Sequence, residues 1–183
     1  IQNANAIFIP IGGGGLAAGI AIAIRASNPT IKLIGVEPEQ AASMQAAFRS
    51  GGPVTLDRVG IFADGVAVRR VGDLTYRLCR DFLDDIVTVS TDETCAAIRD
   101  IYEQTRTMVE PAGALSLAGI KRWVNETGTV DETLVAIVCG ANLNFDRLRH
   151  IAERAALGEP RDALFAVSVA EEPGSFRRFC DVR

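Results

Sequence analysis

Lysine is nearly missing from this 183-residue chain: of 19 basic residues only Lys32 and Lys121 are lysines, the other 17 being arginines. Histidine is rarer still. His150 stands alone, so a Ser-His-Asp or Cys-His site would have to be built on a residue in a charged helical stretch. The four cysteines (Cys79, Cys95, Cys139, Cys180) form no CxxC pair and no framework spacing. That fits a reducing cytoplasm and argues against a structural zinc site. A net charge of −4 with scattered arginines lacks the basic footprint of a nucleic-acid binder. The longest apolar stretch, Leu16 to Ile24, is about half of what a bilayer span needs and contains Gly19. No charged region followed by an apolar run opens the chain, so no export signal is expected.

What is present is an apolar content of 48%, enough for a sizeable core in one α/β domain or one and a half. Ile7 to Ile11 reads as a buried strand that runs into four glycines. Leu16 to Ala26 is a compact helix, stopped by Ser27-Asn28-Pro29, and Ile31 to Glu37 is a second strand. Gln40 to Arg49 reads as a helix, Leu56 to Val68 as irregular, and Asp73 to Leu83 as a helix with Leu74, Leu78 and Phe82 on one face. Ile86 to Val89 is a strand, and Ser90-x-x-Glu93 is a capping-box signature opening a helix to about Arg106. A helix from Glu110-Pro111 to Asn125, a strand from Leu134 to Val138 and a helix from Phe145 to Leu157 follow. This alternation predicts an α/β fold: a mostly parallel, open twisted sheet with helices on both faces. Composition changes at Gly158-Glu159-Pro160. Ala163 to Val169 then reads as a fresh strand and Gly174-Ser175-Phe176 as the opening of another helix, the first βα of a second domain.

Three loops that follow strands carry the chemistry. In Gly12-Gly13-Gly14-Gly15-Leu16, four residues without Cβ let backbone N–H groups converge in front of a helix N-terminus, which makes an anion cradle. Gly12, Gly14 and Ala17 also satisfy the dinucleotide fingerprint, and Glu37 ends the next strand, where a ribose-binding acid belongs. A nucleotide-binding oxidoreductase therefore remains open at this point. In the second loop, Glu110 precedes Pro111 and could simply complement the helix terminus. In the third, Cys139 lies at the carboxyl end of a strand, where open α/β folds bind ligands.

Taken in order, IPIGGGGLAAG, IFADGVAV (Ile61 to Val68), VEPAGALSLAG (Val109 to Gly119) and CGANLNF resemble the pyridoxal-phosphate-dependent threonine dehydratases, of the tryptophan-synthase-β-like class. The tail, Ala163 to Val167 followed by Glu171 to Phe176, resembles the start of the ACT-like regulatory domain of the biosynthetic form. The resemblance implies a fold type II large-domain portion over residues 1–157, and a linker with a truncated ACT-like start over 158–183. It implies that Gly12, Gly13, Gly14, Gly15 and Leu16 hold the phosphate of pyridoxal 5'-phosphate and that Cys139 faces its pyridine nitrogen. Glu110 and the Asp64-Gly65 loop would lie beside the cofactor ring. A neutral thiol is a poor proton donor to a pyridine, which would favour β-elimination. The implied reaction removes the α-proton and β-hydroxyl of L-threonine, or of L-serine, and the enamine hydrolyses to a 2-oxo acid and ammonia.

Some such enzymes hold a divalent cation through an acid after the second strand. Glu37 matches that position, but Ser43 stands where a second carboxylate would be, so no metal is expected. The class carries its catalytic lysine in a Ser-Phe-Lys-x-Arg-Gly type segment, which this sequence does not contain; Lys32 and Lys121 read as solvated. The chain thus reads as part of a cytoplasmic enzyme, inactive alone, with neither a nucleic-acid nor a membrane partner. Its intact form would be a homo-oligomer. Two alternatives stand beside this reading: the dinucleotide-binding oxidoreductase domain on Gly12, Gly14, Ala17 and Glu37, and a non-catalytic subunit or one complemented by another chain's lysine.

Overall fold

The computed structural model describes residues 3–159, 168 and 172–180. Strands β1 (Ala6–Pro10), β2 (Lys32–Pro38), β3 (Asp85–Val89) and β4 (Leu134–Ala136) form one sheet in the order β3-β2-β1-β4. Every pairing is parallel, with Ala6 level with both Lys32 and Leu134. The predicted α/β class is the one observed. Parallel strands need covered crossovers, and these are α1 (Gly15–Ser27), α2 (Ser43–Ser50) and α3 (Asp73–Phe82) on one face of the sheet. On the other face lie α4 (Thr91–Thr105), α5 (Pro111–Thr127) and α6 (Leu148–Gly158).

Both faces being covered, β1 is apolar throughout, and its period of two only decides which side each residue serves. Ile7 and Ile9 pack with Ala17, Ala21, Leu33 and Met44. Ala6 and Phe8 pack with Val36, Ile98 and Leu115. Helix α5 crosses β2 so closely that a Cβ on Gly119 would lie 2.5 Å from a Val36 methyl.

Local signals account for most boundaries. The Ser90 hydroxyl accepts from the Glu93 N–H at 3.2 Å and the Glu93 carboxylate from the Ser90 N–H at 2.7 Å, completing the capping box of α4. Pro111 opens α5, and Gly128 closes it in the left-handed region at φ 65°. The expected helix from Gln40 is a 3-10 turn (Glu39–Ala41) followed by α2, and that from Phe145 is a 3-10 turn (Phe145–Arg147) followed by α6. On α3 the expected face holds in part. Leu78 and Phe82 are partly buried against the core, but Leu74 is 60% exposed, and the fully buried positions are Tyr76 and Cys79, because the helix presents its Thr75–Cys79 side to the glycine loop. The tail strand expected over 163–169 lies outside the described residues apart from Ser168; the helix after Gly174 is α7 (Ser175–Cys180).

The two lysines are placed differently. Lys32 is exposed, but Lys121 is not simply solvated: it pairs with Asp100 of α4 and Glu159 at the end of α6. Glu37 is fully buried at the end of β2, and its two oxygens accept from the Met44 and Gln45 N–H groups at 2.8 Å each, anchoring the first turn of α2. Burial pushes its carboxyl up to about 7, against the opposing pull of those hydrogen bonds.

This packing makes two residues testable. Gly119→Ala should gain about 1 kcal/mol of helix propensity but lose about 1–3 kcal/mol to overpacking against Val36, leaving a net destabilisation. Chemical denaturation checks it, with Val36→Ala in the same chain restoring part of the loss. For Glu37, the folded carboxyl keeps a proton that the unfolded chain releases above about 4.5. Its contribution is therefore greatest below that pH and falls by about 3 kcal/mol as pH rises to about 7. Urea titrations at pH 5 and pH 8 should show this slope as the difference between the parent chain and Glu37→Gln.

Candidate functional site

The chain leaves β1 into Gly12 to Gly15 and enters α1 directly. Gly14 is the N-cap at φ +90°, a left-handed conformation that a side chain would strain. Nothing among the described residues caps this helix end with a side chain, and its first turn carries no acid. Its N–H groups are therefore free for an external acceptor. The carbonyls are not free. Gly13 accepts from the Thr75 hydroxyl at 2.6 Å, and Gly14 accepts from the Ala18 N–H at 2.9 Å and, weakly, from the Cys79 thiol at 3.8 Å. A trans peptide points its N–H away from its carbonyl, so the Gly14 and Gly15 N–H groups face the other way.

The four glycines have two separate reasons. A Cβ on Gly12 would sit 3.0 Å from the Val66 Cα, and one on Gly14 would sit 2.7 Å from the Met44 methyl: these two are closed from behind. Around Gly13 and Gly15 a Cβ would meet nothing within 4 Å, so their open side is accessible to a ligand that approaches the backbone. Leu16, in the first turn of α1, is 44% exposed on that helix end.

Because β4 pairs with β1, the loop after β4 lies beside the glycine loop. The chain winds from β1 outward to β2 and β3 and returns on the other side of β1, so the crevice between β1 and β4 is the topological switch point of the sheet. Cys139 begins this loop, half buried. Burial raises its thiol above the ordinary range and the nearby Glu110 charge adds to the rise, so it stays protonated.

Glu110 does not cap its own helix, as its position in the sequence suggests it would. Its carboxylate instead accepts from the Asn142 N–H at 3.1 Å, while its backbone N–H donates to the Gly140 carbonyl. That reach is possible only past glycines. A Cβ on Gly140, at φ +112°, would fall 2.2 Å from the Glu110 Oε1, and one on Gly65 would fall 3.1 Å from the same atom. Gly113 likewise lets α5 press onto the Gly140 carbonyl. Gly65, Glu110 and Cys139, from three separate stretches of sequence, are thereby brought together.

The ribose role considered for Glu37 is overturned: the residue is fully buried with both oxygens occupied by α2. The oxidoreductase reading built on Gly12, Gly14, Ala17 and Glu37 loses its acid. Lys32 begins β2 at the opposite sheet edge, roughly 20 Å of strand away, and Lys121 lies roughly 15 Å along α5 from Pro111. Neither reaches the crevice. His150 packs against the Phe62 ring and contacts no nucleophile among the described residues. Sequence reasoning missed Thr75 and Cys79, whose contacts with the glycine loop span more than sixty residues and leave no local signal.

Comparison with known proteins agrees with this geometry. A family profile described as pyridoxal-phosphate dependent enzyme matches residues 2–140. The biosynthetic L-threonine dehydratase IlvA of Pasteurella multocida is 54% identical over 176 residues, covering 96% of this chain and 34% of that protein. That of Burkholderia multivorans is 53% identical over 178 residues, covering 97% and 35%. The chain thus spans about a third of the length of the curated relatives it matches. The structure of the processed form of threonine deaminase isoform 2 from Solanum lycopersicum superposes with a TM-score of 0.83 at 41% identity, over 85% of this chain and 45% of that one. An uncapped glycine loop beside a half-buried thiol at the switch point of a parallel sheet is thus the local architecture of a chain that belongs to the pyridoxal-phosphate dependent enzymes.

Proposed function

We propose that the whole protein of which this chain is a part deaminates L-threonine to 2-oxobutanoate and ammonia, as a biosynthetic threonine dehydratase in a branched-chain amino-acid route. The observation that carries this reading is the glycine-built start of α1, without a side-chain cap, set beside Cys139 across the β1–β4 pairing at the switch point of the sheet. The residues fit the cofactor. Gly13, Gly14, Gly15 and Leu16 would offer N–H groups to its phosphate, with Gly12 setting the turn, and Cys139 would face its ring nitrogen. Pyridoxal phosphate, when bound, supplies the electron sink for the charge developed at the substrate α-carbon.

The chain's own residues set the conditions for that chemistry. Helix α1 and the glycine loop orient the anion without any side chain, and the open sides of Gly13 and Gly15 leave room for it. Cys139, its thiol pushed up by burial and by the Glu110 charge, would offer a ring nitrogen a neutral partner and no proton, a setting that would favour loss of the β-hydroxyl over long-lived carbanion chemistry. Glu110 ties the Asn142 backbone and, through Gly65, the 61–66 loop to the same crevice. A lysine for the covalent anchor would come from a segment outside this chain. L-Serine is a second candidate substrate, and residues 158–183 would begin the ACT-like regulatory part. Free thiols at Cys79, Cys95 and Cys139 suit a cytoplasmic protein, and no helix among the described residues is long and apolar enough to cross a membrane. The whole enzyme would be a homo-oligomer.

The full-length protein should form 2-oxobutanoate from L-threonine, measured as its hydrazone; absence of product with cofactor present would overturn the proposal. This chain alone should give none, and borohydride in the presence of cofactor should label no single lysine stoichiometrically. In the full-length enzyme Cys139→Ser should retain most activity. Cys139→Asp, which would hold a proton on the ring nitrogen, should lower kcat by about tenfold or more.

A further inference from the structure

Two peptides carry the outward N–H groups of the glycine loop, and they are held very differently. The Gly14–Gly15 peptide is fixed by the first hydrogen bond of α1, from the Ala18 N–H to the Gly14 carbonyl at 2.9 Å. The Gly13–Gly14 peptide lies outside the helix and between two glycines, the pair with the least resistance to a peptide flip. A flip would turn the Gly14 N–H inward and a carbonyl oxygen toward the ligand. What opposes it is one side chain. The Thr75 hydroxyl, in the first turn of α3, meets the Gly13 carbonyl at 2.6 Å. The same hydroxyl is 3.1 Å from the Gly72 carbonyl, which also takes the Tyr76 N–H at 2.9 Å. With one proton to give, the hydroxyl favours the shorter contact, to Gly13. Thr75 is also fitted to the loop: its Cβ would lie 2.9 Å from a Cβ on Gly14, so any larger residue at 14 would push the latch away.

We propose that Thr75 is a positioning residue of the anion cradle, its hydroxyl locking the Gly13–Gly14 peptide so that the Gly14 N–H faces a bound phosphate. This rests on the reading of Gly12 to Leu16 as the cofactor-phosphate site. Thr75 touches no ligand itself and acts through the backbone. Its loss should weaken recognition of the phosphate and leave recognition of the ring unchanged.

The test uses the full-length apoenzyme and two probes that differ only in the phosphate, pyridoxal 5'-phosphate and pyridoxal, with binding followed by fluorescence quenching. The parent enzyme should prefer the phosphorylated probe. Thr75→Val, which keeps the shape and removes the hydroxyl, should reduce that preference about tenfold with pyridoxal affinity unchanged, the scale of one hydrogen bond to a charged group. Thr75→Ser should restore it. Thr75→Ala is read in the same way should the valine variant not fold. An unchanged preference in a folded hydroxyl-less variant would overturn the inference. So would failure of both variants to fold while Thr75→Ser folds, since the hydroxyl would then serve the fold and not the cradle. A parent enzyme without preference for the phosphorylated probe would instead refute the phosphate-site reading itself.

Discussion

The structure depends on backbones approaching one another more closely than side chains allow. At the carboxyl edge of the sheet, the glycine loop is pressed from behind by Val66, Met44 and Thr75, and the Cys139 loop by Glu110 and Gly113. Each approach happens at a position without a Cβ. Away from the site the same device sets the layers: Gly119 lets α5 sink onto Val36. Gly158 lets the end of α6 meet the α4 backbone at Asp92, where a Cβ would lie only 2.1 Å from a carbonyl oxygen. At Gly12, Gly113, Gly119 and Gly158 such packing is intolerant of one extra methyl group, because the obstructing atoms are main chain or a short side chain.

Charge is distributed with the opposite logic inside and at the site. Glu37 and Glu110 both use their oxygens on backbone N–H groups across loops, so each acid organises a turn and neither is left to solvent alone. Glu37 is deep enough for burial to outweigh its hydrogen bonds. Glu110 acts instead on its neighbour, helping to keep the Cys139 thiol protonated. The helix end at Gly14 carries no such acid, and that difference separates a finished cap from a site.

Much of this is legible in the linear pattern of residues. Four glycines between an apolar run and a helix mark the cradle, and the order of four motifs indicates the enzyme class. The capping box at Ser90 and the proline and glycine that bound α5 are local chemistry, and they lie where neighbouring residues predict them. The buried face of α3 is only partly legible in this way: Leu78 and Phe82 do pack on the core, but Leu74 looks like part of the same stripe until the helix is placed against the glycine loop. Glu37 resembles a ribose or cation ligand for a similar reason: position along a strand says nothing about which way its carboxylate turns.

Composition, period and turn residues determine a parallel α/β sheet, its helix ends and a glycine-built helix start without a side-chain cap, because each is set by neighbours within a few residues. Only the tertiary structure decided which glycines are closed and which are open, where Glu110 points, and that Thr75 secures a peptide 62 residues upstream. Those depend on distances between segments, which a linear pattern does not contain. The shortage of lysine belongs to both. The sequence shows that there are two, and the fold shows that one starts β2 at the amino end of the sheet while the other is paired with Asp100 and Glu159.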